Sequence, residues 1–242
     1  MKLFFLTAYL QFKGMMRASR YGLQFLLLPV LMISIFLTAY LAARVLGGRV
    51  SGLFYPFVVF ILSASATNIP MQAGSQFLSN PSYANLLITP RGIRGLIAYF
   101  MGIQAPYLLT TFISIVVAYF LTLPRFYFLN SIIGIFLLIM WCSAMVLIGL
   151  AVGMKFIFAF HLAQLIFLGF YPFLLMLPLA GKLEYAFILP PVGIITIFQN
   201  GCKLFLFSIA TAVGTLLYNL IGTLFIKWAY KEYRIGRGVN RI

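Results

Sequence analysis

Residues 129–153 read LNSIIGIFLLIMWCSAMVLIGLAVG, a stretch without one Asp, Glu, Lys or Arg. As an α-helix rising 1.5 Å per residue it is about 37 Å long, enough to cross a hydrocarbon layer of about 30 Å. Working outward, the pattern recurs at 23–45, 53–73, 95–121, 160–180 and 204–228. Turn residues and charges fill the breaks: Gly47-Gly48-Arg49, then 74–94, Leu123-Pro124-Arg125, Met154-Lys155 and 181–203. The break at Met154-Lys155 is the slightest, because 129–180 is nearly continuous, and that boundary can move by several residues. The expectation is an all-α, polytopic membrane protein: one transmembrane domain over 1–242 with six spans, short loops and no soluble domain.

Composition agrees. Of 242 residues, 64% are apolar and 8% charged, whereas a soluble domain carries about 25% charged residues. Surface-to-volume scaling leaves no single water-soluble core able to hide that excess. A net charge of +15 would fit a nucleic-acid binder only if the basic residues shared a polar face, and there is hardly one. Nucleic acid is therefore excluded as a partner, and membrane lipid is expected.

The basic residues set the orientation. With both termini inside, the cytoplasmic side collects Lys2, Lys13, Arg17, Arg20, Arg91, Arg94, Lys155, Lys227, Lys231, Arg234, Arg237 and Arg241. The other side holds Arg44, Arg49, Arg125, Lys182 and Lys203. Both termini are expected to be cytoplasmic, in a multi-pass protein of the cell membrane. The opening Met1-Lys2-Leu3-Phe4-Phe5-Leu6 is like the start of a signal peptide. Gln11 and Lys13 interrupt it and no small-x-small cleavage site follows, so it is expected to be retained. Residues 3–20 instead fit an interfacial helix. Phe5, Tyr9, Phe12 and Met16 recur at helical spacing beside a basic stripe of Lys13, Arg17 and Arg20.

Few side chains can carry chemistry. There is no Asp; Glu184 lies in the 181–203 segment, Glu232 in the C-terminal tail, and His161 is the single His. Proton-coupled carriers need ionisable groups inside the membrane. No catalytic triad, carboxylate pair, metal-ligand cluster or Walker lysine loop can be assembled, and Cys142 and Cys202 have no metal-ligand spacing. The chain is not expected to be an enzyme by itself, nor to hold a cofactor or metal. Polar residues within spans are sparse: Gln24, Asn68, Gln72, Gln104, Gln164, Asn219 and scattered Ser and Thr. Asn68 and Gln72 are the candidates for lining a path.

Two segments stand out. Between spans two and three, Asn80 suits an N-cap with Pro81 at the first helical position, and Pro90 ends the element. The enclosed helix puts Tyr83, Leu86 and Leu87 on one face with Ser82 and Asn85 polar. Too short to span, it suits a lever moved by a cytoplasmic partner. After span five, prolines at 172, 178, 190 and 191 break an otherwise apolar run. Such a run fits short helices re-entering the membrane where protein or water satisfies the backbone. Gly149-x-x-x-Gly153 and Ala210-x-x-x-Gly214 are candidate close-packing faces.

Together these features resemble the permease subunit of type 2 ATP-binding-cassette exporters. Asn85-Leu86-Leu87-Ile88-Thr89-Pro90, followed by Ala98-Tyr99-Phe100-Met101-Gly102, is similar to the family's Leu-Leu-x-x-(Thr/Ser)-Pro run before span three. Phe170-Tyr171-Pro172, Leu177-Pro178 and Leu189-Pro190-Pro191 are similar to its Tyr-Pro, Leu-Pro and Asn-Pro series. The resemblance implies a separate cytoplasmic ATPase that binds ATP and Mg, and a second permease, identical or homologous. It also implies an amphiphilic cargo (a lipid, lipid-linked glycan, drug or peptide-like compound) moved outward. The ATPase contact would fall on Asn80, Pro81, Ser82, Tyr83, Asn85, Leu86, Leu87, Pro90 and Arg91. Family members carry carboxylates just before the Leu-Leu run, whereas Ser79, Asn80, Ser82 and Tyr83 stand here, so that contact would use polar and aromatic packing. An ion-coupled secondary carrier and a non-transporting membrane scaffold are the alternatives.

Overall fold

The computed structural model describes residues 5–6, 8–10, 13, 59, 63, 66–67, 70–71, 92–102, 128–155, 183–199 and 204–234, and every one except Leu189 is helical. Four helices are described over their full length: α1 (Phe128–Lys155), α2 (Leu183–Ile188), α3 (Pro190–Gln199) and α4 (Leu204–Arg234). α1 and α4 are each long and apolar enough to cross a membrane. Spans one, three beyond residue 102, and five lie outside the described residues, as does most of span two.

α1 is the centre. Of its most apolar window 61% is buried inside the protein, against 28% for α4. Its exposed side chains, Leu129, Ile132, Phe136 and Ile139, step along one stripe confined to its first half. From Met140 to Lys155 nothing on it is exposed. The described residues between 59 and 71 cover one side of this second half and α4 another.

Small residues allow the approach to 59–71. A Cβ on Gly149 would lie 2.5 Å from the Thr67 carbonyl oxygen, and one on Gly153 would strike the Met71 carbonyl. Both contacts have the same sequence offset, so the described residues from 59 to 71 run parallel to α1. The expected Gly149-x-x-x-Gly153 face is thus a helix-packing face. α4 is also parallel to α1: Ser143 meets Asn219, Leu147 meets Gly222, and Lys155 meets Glu232. Gly214 of the second small-residue pattern abuts the Phe187 carbonyl in α2. Its neighbour in that contact region is Thr211, against Gly193, rather than Ala210.

The proline-rich stretch resolves into two short helices. Leu189 donates its N–H to the Tyr185 carbonyl at 2.8 Å, closing α2, and accepts from the Val192 N–H at 2.9 Å, opening α3. Pro190 and Pro191 take the first positions of α3, where a missing N–H leaves nothing unsatisfied. From Pro190 to Phe198 every side chain of α3 is buried. It packs on the first half of α1, where the Phe198 ring fills the space beside Gly134.

Two boundaries differ from the sequence expectation. α4 continues to Arg234, beyond the expected end at 228. Lys227, Lys231 and Glu232 lower the hydropathy there, but they are good helix formers and do not stop the helix. Glu232 is therefore on the last turns of α4 rather than in a free tail. At the other, the described residues are already helical from Gly92, ahead of the expected 95, and Gly92 has φ 45°, a left-handed conformation that side chains with a Cβ rarely adopt.

Candidate functional site

A run of polar and aromatic contacts, buried at Ser63 and exposed at the Tyr218 hydroxyl, links the described residues between 59 and 71 to α1, α4 and α2. Ser63 donates to the Val59 carbonyl at 2.7 Å, and its oxygen accepts from Trp141 Nε1 at 2.9 Å. The Trp141 ring meets Tyr218 edge-on with centroids 5.2 Å apart. Tyr218 in turn donates its hydroxyl to the Ile188 carbonyl at the end of α2, at 3.0 Å. A single run of contacts thus ties the second predicted span to both long helices and to the broken pair.

A second polar link joins α1 to α4. Asn219 Nδ2 donates to the Met140 carbonyl at 3.0 Å and to the Thr215 carbonyl at 2.9 Å. Ser143 Oγ lies 2.7 Å from both Asn219 Oδ1 and the Met140 carbonyl, and its one proton serves one of them at a time. Near the start of α1, Asn130 Nδ2 donates to the Ile197 carbonyl of α3 at 3.2 Å. The other hydroxyls mostly look after themselves: Thr67, Thr196, Thr215 and Thr223 each donate to the carbonyl four residues back, at 2.6–2.8 Å. Such back-bonding hides a hydroxyl without a partner helix. Ser208 Oγ and Thr211 Oγ1 are buried with no hydrogen-bond partner, and the latter sits where a side chain on Gly193 would begin.

At the far end of the parallel pair, Lys155 Nζ is 3.5 Å from Glu232 and 4.3 Å from the centroid of the Trp228 ring. Both charged side chains are largely shielded, at 16% and 26% exposure. The pair and the cation–π contact hold the helix ends together, for about 1 kcal/mol between them.

Among the described residues no cluster of His, Cys, Asp or Glu can hold a metal ion. Glu184 is exposed on α2 and Glu232 is ion-paired. The polar contacts fix helix register and give a packed helix assembly a defined polar seam.

Of the residues singled out from sequence, Phe5 and Tyr9 are exposed on helical positions, and Lys13 Nζ stands 5.6 Å from the Tyr9 ring centroid. That arrangement fits a helix with rings and cations on adjoining faces. Phe12, Met16 and Arg17 lie outside the described residues, as do Asn68 and Gln72, His161, and the whole set Asn80, Pro81, Ser82, Tyr83, Asn85, Leu86, Leu87, Pro90 and Arg91. Sequence reasoning missed Ser63, Trp141 and Tyr218 as partners. The available signal was Ser63 and Thr67 at i and i+4, the same spacing as Gly149 and Gly153. Comparison of the chain with family models, with curated proteins and with solved structures returns no match.

Proposed function

We propose that the chain is the membrane-spanning permease subunit of a type 2 ATP-binding-cassette exporter. It would move an amphiphilic cargo outward, powered by a separate cytoplasmic ATPase and paired with a second permease. The observation that carries this reading is the shared direction of 59–71, α1 and α4. In a six-span chain with cytoplasmic termini, the second, fourth and sixth spans all run from outside to inside. Each parallel neighbour requires a return crossing between, and 95–121 and 160–180 are the apolar stretches available for it. The broken pair α2–α3, packed on the first halves of α1 and α4, supports the part of the reading that puts re-entrant helices before span six.

Energy supply follows from the carboxylates. With no Asp and a paired Glu232, the proposed spans offer proton coupling no free carboxylate; Glu184, in the first turn of α2, lies outside them. A nucleotide-driven partner acting on residues 79–91 is the alternative source, shifting the helices between inward and outward states.

Co-purification of the chain with its genomically adjacent ATPase subunit, and ATP hydrolysis by the pair in vesicles, test this. The pair is expected to hydrolyse ATP faster with cargo present. Tyr83→Ala with Leu86→Ala is expected to abolish that stimulation or detach the ATPase while the permease stays inserted. Unchanged co-purification and unchanged hydrolysis would overturn the lever. Transport by the purified chain without nucleotide or ATPase would overturn the reading as a whole.

A further inference from the structure

One stripe of α4 changes character along its length. Ile209, Val213, Leu216, Leu220 and Leu224 follow one another at steps of three or four residues, and all are exposed. The same stripe continues through Lys227 and Lys231, also exposed. Thr211, Thr215, Ile226 and Ala229, on the opposite side, are buried in the helix assembly. From Phe205 to Leu224 the apolar part measures about 28 Å at the usual rise, close to the thickness of a hydrocarbon core. With that part in the acyl chains, Lys227 and Lys231 reach the depth of the headgroup phosphates. Phe225 and Trp228, stacked at 5.5 Å and 14°, lie at the same level, where Trp rings settle at membrane boundaries.

The charges there are not neutralised from within. The sequence has two carboxylate side chains. Glu232 is engaged by Lys155, and Glu184 is on α2, which packs on the other half of α4. We infer that Lys227 and Lys231, framed by Trp228, form a seat for the headgroup of an anionic phospholipid. A second copy of the chain docking symmetrically on this stripe would bring four ammonium groups together without a carboxylate, so charge favours lipid over self-association. The inference rests on α4 crossing the membrane and is independent of transport.

Trp228 supplies the reporter, since the chain has 2 Trp and the other, Trp141, is buried at 4% exposure. The purified protein is placed in phosphatidylcholine vesicles with a low, fixed fraction of brominated phosphatidylglycerol or, separately, brominated phosphatidylcholine. The difference in quenching between the native chain and Trp228→Phe isolates the boundary ring. Brominated phosphatidylglycerol is expected to quench it more strongly, reflecting enrichment of roughly fivefold per lysine. Lys227→Gln with Lys231→Gln should remove the preference, and Lys227→Arg with Lys231→Arg should keep it. Equal quenching by the two lipids in the native chain overturns the inference. So does a preference that survives the Gln variants, or shielding of Trp228 from both lipids, which would mean that protein covers the stripe. Loss of the preference on replacing chloride by inorganic phosphate at constant ionic strength would assign the site to free phosphate instead and equally overturn it.

Discussion

Adding one methyl group at Gly149 tests how much of the assembly depends on close helix contact. In Gly149→Ala the new Cβ would stand 2.5 Å from the Thr67 carbonyl oxygen and 3.2 Å from the Thr67 Cα, where ordinary contact begins at 3.4 Å. The obstacle is backbone, which cannot swing aside, so 59–71 and α1 must separate by about 0.9 Å. A gap of that size forfeits a quarter to a half of each dispersion contact across the seam, and Ser63, Ala66, Thr67 and Met71 all lie buried in that region. It also lengthens the 2.9 Å bond from Trp141 Nε1 to Ser63. Opposing this, Ala favours helix over Gly by about 1 kcal/mol, so any net loss comes from the contact. The expected cost is about 2 kcal/mol for Gly149→Ala and about 3 kcal/mol for Gly153→Ala. The double variant should cost less than the sum, because one displacement serves both methyl groups. Unfolding in mixed micelles by increasing dodecyl sulfate, followed by circular dichroism, measures this. Leu217→Ala, on an outward position of α4 at 41% exposure, serves as the control and should stay near native. A Gly149→Ala protein within about 0.5 kcal/mol of native would refute the argument.

Three further outcomes follow from the same contacts. Asn219→Leu removes two donated bonds and one of the two acceptors of the Ser143 hydroxyl, which keeps the Met140 carbonyl. It should lower the same midpoint by about 1 kcal/mol, in line with hydrogen bonds between membrane helices. Gly193→Ala should destabilise, because its Cβ meets the Thr211 hydroxyl. Thr211→Ala loses no hydrogen bond, so alone it should be close to neutral, and combined with Gly193→Ala it should recover part of the loss; no recovery would put the clash elsewhere. A double-mutant cycle on Lys155→Met and Glu232→Gln should return a coupling of about 0.5–1 kcal/mol that shrinks with added salt. Zero coupling at low salt would show that the ion pair contributes nothing at that end.

The sequence legible by itself was the one set by composition and punctuation. An uncharged run of the length of 129–153 must leave water, and as a helix it is long and apolar enough to cross a bilayer. The expected span agrees with α1 to within two residues at either end. Pro190 and Pro191 likewise announced a helix break, since neither can donate to the preceding turn. The Gly149-x-x-x-Gly153 spacing marked a packing face without naming what packs there.

Partners and directions were decided only by the tertiary structure. Local sequence states that Gly149 is small; it does not state that Thr67 presents its carbonyl to it. Trp141 looks like one more apolar residue of a span until Ser63 meets its indole N–H. Glu232 looks like a tail charge until parallel packing delivers Lys155 to it. The reason is physical: hydropathy and propensity are sums over neighbours in sequence, and they settle which segments leave water and become helices. Which helix lies beside which, at what register and in what direction, depends on groups tens of residues apart fitting one another, and no local sum contains that information.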